Sequence, residues 1–153
     1  MQRATAESII ALRKWAEPAE DWRERPVGSG IMEMGFGVLD HEGAAIRGLS
    51  IEIRAQAGRS VKRRKITFGL FQFDVGVNER IYQLQLDAPG VFAHKDDRHG
   101  KLYGTHEHIG DEAEPCPAES AQWDFQQGLV YFAQRINLTL SGSPLDPFEF
   151  RLK

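Results

Sequence analysis

Between Met32 and Leu86 the chain repeats one pattern: apolar side chains at every second position, in four segments separated by turn residues. Met32, Met34, Phe36 and Val38 alternate with Glu33, Gly35 and Gly37. Beyond Asp40-His41-Glu42-Gly43, a second alternation runs through Leu49, Ile51, Ile53 and Ala55. Side chains on a strand point to opposite faces in turn, so a period of two predicts strands with one face in the core, and the short turn predicts a hairpin. Ile66, Phe68 and Leu70 share one face of the next segment while Phe71, Phe73 and Val75 share the other. The strand from Lys65 to Val75 therefore either changes face at a bulge or is buried on both sides. Gly76-Val77-Asn78 then turns the chain into Arg80 to Leu86, where Tyr82, Leu84 and Leu86 form one apolar face. Four antiparallel strands in near succession commit the chain to a fold built around a sheet.

Helical spacing frames this region. Ile9, Leu12 and Ala16 predict a helix from Thr5 to Ala16, with Thr5 as N-cap and Pro18 as stop. Phe125, Leu129, Phe132 and Ile136 step by 4, 3 and 4, the buried stripe of an amphipathic helix from Ala118 to Ile136 in which Gly128 is a blemish. Phe148, Phe150 and Leu152 alternate with Glu149 and Arg151 and predict a final strand, whereas Asp87 to Gly104 reads as an irregular loop. The sum is a single α+β domain over residues 1–153. Its sheet is mainly antiparallel, with roughly five to six strands, an N-terminal helix and a C-terminal amphipathic helix on one face.

With 41% hydrophobic and 27% charged residues, a chain of 153 residues can bury one sizeable core. No apolar run approaches the roughly 20 residues of a membrane span, and Met1 to Trp15 is polar and amphipathic, so a cytoplasmic protein with no membrane partner is expected. Cys116 is the only cysteine, which excludes an internal disulfide and a zinc site built from several thiolates. The net charge of −3 excludes a surface designed throughout for nucleic acid, yet Arg59, Lys62, Arg63, Arg64 and Lys65 form a local basic run able to meet phosphate.

The concentrated chemical signature lies in one place. His94, His99, His106 and His108, four of the five histidines, fall within fifteen residues, among Arg98, Lys101, Tyr103 and Glu112. If Thr105 to Ile109 is extended, His106 and His108 point to one face about 6 to 7 Å apart. Two chemistries use such a pair. In metal-independent RNA cleavage one imidazole takes the 2′-hydroxyl proton and the other protonates the leaving oxygen. Here His106 and His108 serve in unresolved order with His99 nearby, Arg98 or Lys101 holds phosphate, Tyr103 donates to it, and Lys62, Arg63, Arg64 and Lys65 guide the strand. Alternatively His106, His108 and Glu112, in the spacing of the first histidine motif of cupin barrels, grip a divalent ion. A third reading leaves the pair as polar contacts that lock a long loop.

The run Gly104-Thr105-His106-Glu107-His108-Ile109, preceded by Leu86-Asp87, His94 and Gly100 and followed by the helix to Asn137, resembles a family of short bacterial proteins grouped as a domain of unknown function. It is more distantly similar to TumE-like toxins of bacterial toxin and antitoxin pairs. The resemblance implies a toxin-like or defence-associated protein, an endoribonuclease needing no cofactor, with RNA and an antitoxin or other protein as partners. A non-catalytic interaction module of a phage or mobile element is the alternative from another class.

Overall fold

The computed structural model describes residues 1–18, 21–56, 65–88, 90–96 and 100–151. The four alternating segments form β3 (Ile31–Leu39), β4 (Ala45–Gln56), β5 (Lys65–Asp74) and β6 (Val77–Leu86), each antiparallel to the next. Around them stand β1 (Lys14–Ala16), β2 (Arg23–Glu24), β9 (His106–Ile109), β10 (Glu112–Pro115) and β11 (Leu138–Leu140). The order is β10-β9-β6-β5-β4-β3-β1-β11, with β2 also on β3. The fold is α+β as the alternation predicts, but the sheet has nine strands rather than five or six, and one pairing, β1 with β11, is parallel.

The additional strands come from short segments whose pattern is compatible with more than one state. The helix α1 spans Arg3–Ala11 rather than reaching Ala16. Lys14–Ala16 instead pairs with β11 on one side and, through Trp15, with Leu39 on the other, so its backbone groups are satisfied in the ladder. Within the expected loop from Asp87 to Gly104, β7 (Phe92–Asp96) and β8 (Gly100–Tyr103) form a separate two-stranded sheet. The expected final strand at Phe148 is instead a helix, α3 (Pro147–Arg151), because Asp146 accepts from the Phe148 N–H at 2.9 Å with proline at the first helical position.

β5 does not change face: it runs in unbroken register with β4, and the bulge lies in its partner β6, where Leu70 pairs with Tyr82 and Phe71 with Arg80, so that Ile81 is the extra residue. The Phe71 ring lies over the bare backbone of Gly69 on the same face of β5. On the opposite face Ile51, Ile53, Phe68, Leu70, Tyr82 and Leu84 are buried against α2 (Phe125–Arg135). The ring of Phe68 stacks on Phe125 and Phe132, each 5.6 Å away between centroids. A 3-10 turn, Ala118–Gln122, precedes α2, so the stretch from Ala118 to Ile136 is not one helix. The break falls at Asp124, whose carboxylate accepts from the Gln127 N–H while the Gln127 side chain accepts from the Asp124 N–H, a reciprocal capping box. Asn137, at φ +56, ends the helix in the left-handed conformation. No helix among the described residues is long and apolar enough to cross a membrane.

Candidate functional site

Strand β9 carries the Thr105 to Ile109 motif into the sheet between β6 and β10. His106 stands opposite Gln85 and His108 opposite Gln83, whereas Glu107 stands opposite Leu84. Because neighbouring side chains on a strand face opposite ways, the two imidazoles share the face away from α2 and Glu107 faces the helix. Thr105 fastens the start of the strand: its hydroxyl accepts from the Asp87 N–H at 3.2 Å and donates to the Asp87 carbonyl at 3.3 Å.

The imidazoles converge. Their ring centroids are 4.9 Å apart, and Nε2 of His106 lies 3.1 Å from Nε2 of His108. Both residues are buried, His106 at 1% and His108 at 6% exposure. Nδ1 of His106 is 3.0 Å from the Gly104 carbonyl oxygen, which can only accept, so Nδ1 carries a proton. A neutral His106 would then carry its lone pair at Nε2, the atom that faces Nε2 of His108.

Behind the pair, the Glu107 carboxylate is 4% exposed and is held by four donors. The Tyr82 hydroxyl donates at 2.7 Å, the Tyr131 hydroxyl at 3.2 Å, and Arg135 through Nη2 at 2.8 Å and Nε at 3.3 Å. Burial, then the Glu107 charge, pushes both phenols well above their usual range, so they stay protonated as donors. Bonding to Glu107 raises Arg135 further. Burial and the nearby Glu107 charge also push the Cys116 thiol up to about 12, which leaves it protonated and neither a nucleophile nor a thiolate ligand.

The remaining sequence-derived residues separate into distinct places. Tyr103 is exposed on β8 and packs edge-on against Phe92, 5.9 Å between centroids. Lys101 on β8 and Lys65 at the start of β5 are exposed. Glu112 is in register with Ile109, so it lies on the Glu107 side of the sheet, where Arg3 donates to it at 3.0 Å. The geometry therefore does not bring Glu112 to the imidazoles, and the expected His106, His108 and Glu112 grip does not form. Lys62, Arg63, Arg64, Arg98 and His99 lie outside the described residues. Among the described residues no three His, Cys, Asp or Glu side chains stand together as a complete metal site.

Sequence reasoning missed the Glu107 clamp. Its signal was present: Tyr131 and Arg135 are four residues apart, on one face of a helix, and Glu107 alternates with the histidines. It also missed Arg80, whose Nη1 donates to Gln83 at 3.0 Å and whose buried Nε has no hydrogen-bond partner among the described residues. Comparison with protein-family models, curated proteins and solved structures finds no match for the chain.

Proposed function

We propose that the protein binds a divalent transition-metal ion, of the zinc class, through Nε2 of His106 and Nε2 of His108. The observation that carries this reading is the convergence of the two Nε2 atoms to 3.1 Å. Two nitrogens bound at about 2.0 to 2.1 Å to one tetrahedral ion lie roughly 3.3 Å apart, so the pair already has nearly the spacing of two ligands. The hydrogen bond from Nδ1 of His106 to the Gly104 carbonyl supports it, since a metal-binding imidazole characteristically donates its other N–H to a carbonyl or carboxylate that fixes the ring. Imidazole donors suit zinc, copper, iron and nickel better than magnesium or calcium. The test is metal analysis of purified protein, with equilibrium dialysis of the stripped protein against zinc. About one ion per chain is expected for the wild type and almost none for His106→Ala/His108→Ala. Zinc uptake that is absent from the wild type, or undiminished in the double variant, overturns the reading.

One observation favours a second reading, the toxin-like endoribonuclease. The Nε2 atoms are 3.1 Å apart, close enough for one imidazole to donate an N–H to the other, which would set an acid beside a base. In that reading His106 and His108 perform the proton transfers, with Arg98, Lys101 and Tyr103 at the phosphate. The burial of both rings suits it less well, because RNA must reach the nitrogens. Growth arrest on induction of the wild type but not of the double variant, with cleaved RNA recovered, selects this reading. Equal growth removes a self-sufficient toxin.

A further inference from the structure

We propose that Arg80 makes the histidine site an oxyanion site, in which a carboxylate or phosphate bound at the metal ion is held by the Arg80 guanidinium. This rests on the reading of His106 and His108 as metal ligands. Register brings the guanidinium to the pair. With Ile81 as the extra residue of β6, Arg80 stands opposite Phe71 and Gln83 opposite Gly69, two positions on one face of β5. On its other side Gln83 stands opposite His108. Arg80, Gln83 and the imidazoles therefore share the face away from α2. The Arg80 side chain runs along that face toward the pair, since its Nη1 donates at 3.0 Å to the Gln83 side-chain oxygen. Side chains directly opposite on neighbouring strands have Cβ atoms roughly 5 Å apart, so Gln83 is the one side chain between the guanidinium and His108.

Arg80 is poorly matched within the fold. Its partner Gln83 is neutral, and its buried Nε has no hydrogen-bond partner among the described residues. Burial disfavours its charged form, and the Asp111 carboxylate opposes that effect only through space. An unmatched N–H and a partly buried charge are both costly. The residue is still partly open to solvent, so an anion can reach it. The ion favours the same ligand. Two neutral imidazoles leave a divalent ion its full charge and, in a tetrahedral site, two open positions. A guanidinium beside that ion repels it unless an anion lies between them. The planar fork of arginine fits the oxygens of carboxylate and phosphate. A single oxyanion thus meets both the missing acceptor at Arg80 and the unbalanced charge of the ion.

The test is titration calorimetry of the zinc-loaded full chain with inorganic phosphate and with acetate, at constant ionic strength. The wild type should bind at least one of the two saturably. Arg80→Gln should weaken that binding roughly tenfold to a hundredfold through loss of charge-assisted bonds, and Arg80→Lys, which keeps the charge without the fork, should fall between. Zinc stoichiometry should match the wild type in both variants, which shows that they fold and keep the pair. Arg54→Gln removes a cation from the same face, one already paired with Glu33, and should leave anion binding unchanged. Zinc bound without saturation by either anion overturns the role of Arg80 and leaves the metal reading in place. So does equal anion affinity in the wild type and Arg80→Gln, or an equal loss in Arg54→Gln. Absence of zinc from the wild type overturns the metal reading and this one together.

Discussion

The Lys14 ammonium donates to the carbonyl of Ile136 across 2.6 Å, and the same nitrogen reaches the carbonyls of Ile10 at 2.9 Å and Leu12 at 2.5 Å. One buried cation thus closes the C-terminal ends of two helices, α1 and α2, where carbonyls otherwise lack donors and the helix dipoles are negative. Lys14→Met should lower stability by about 1 to 3 kcal/mol, read by chemical denaturation, because three carbonyls lose a donor. Burial lowers the Lys14 pKa from 10.5 to about 8. Between those values the unfolded chain holds a proton that the folded chain has released, so this residue's contribution to stability rises with pH. The stability difference between wild type and Lys14→Met should therefore increase from pH 8 to 10.5, and a difference that shrinks over this window contradicts the assignment.

Glu107 is the anchor that fixes β9 from the helix side. Glu107→Ala removes the partner of a buried Tyr82 hydroxyl and of Arg135, and should cost about 2 to 3 kcal/mol in thermal or chemical unfolding. Since the imidazoles stand on the same four-residue strand, zinc affinity should also fall, while the number of ions bound at saturation stays the same.

Glu112 tests the faces of the sheet. Glu112→Gln should leave zinc stoichiometry and affinity unchanged, and weakening its partly exposed pair with Arg3 should cost less than about 1 kcal/mol. A loss of zinc equal to that of His106→Ala would place the carboxylate at the ion, against its register with Ile109.

Gly128 is a close approach rather than a weakness in α2. A Cβ there would lie 2.6 Å from Cδ1 of Leu86 and 3.0 Å from Cε2 of Phe68. Alanine improves helix propensity by about 1 kcal/mol, but forcing the helix off the sheet costs roughly 1 to 3 kcal/mol. Gly128→Ala should therefore lower the melting temperature; an increase would show that Leu86 yields easily.

Val75, at the tip of the β5 to β6 hairpin, is 91% exposed and has φ +45, a conformation that a β-branched side chain disfavours. Val75→Asn should raise stability by roughly 0.5 to 1 kcal/mol, because Asn-Gly is the favoured pair for such a turn. Denaturation midpoints of the two proteins decide the matter.

The central sheet was legible because period two is unambiguous when sustained, as it is from Met32 to Ala55 and again at Tyr82, Leu84 and Leu86. What escaped was short or conditional. Lys14 to Ala16 continues a helical spacing, and only the pairing offered by Leu39 and Leu138 makes it a strand. Phe148 to Arg151 alternates like a strand, and the Asp146-Pro147 signal for a helix start outweighs that alternation. At the candidate site the shared face of His106 and His108 followed from alternation alone. Their approach to 3.1 Å, the separation of Glu112 and the clamp on Glu107 depend on which strands flank β9 and on a helix some twenty residues later in the chain, information no local pattern contains.

The parallel pairing of Lys14 with Leu138 joins segments from opposite ends of the sequence, whereas β3 to β6 are linked through short connections or neighbouring segments. Contacts so distant along the chain carry a large loop-closure entropy and form slowly. In refolding, the hairpins from β3 to β6 should gain amide protection first, and β1 and β11 should dock together at the end, with Lys14 engaging both helix termini in that same event. The two ends of the chain are thereby made mutually dependent: removing β11 should release β1 and α1 as well, and limited proteolysis should register the loss at the opposite terminus from the cut.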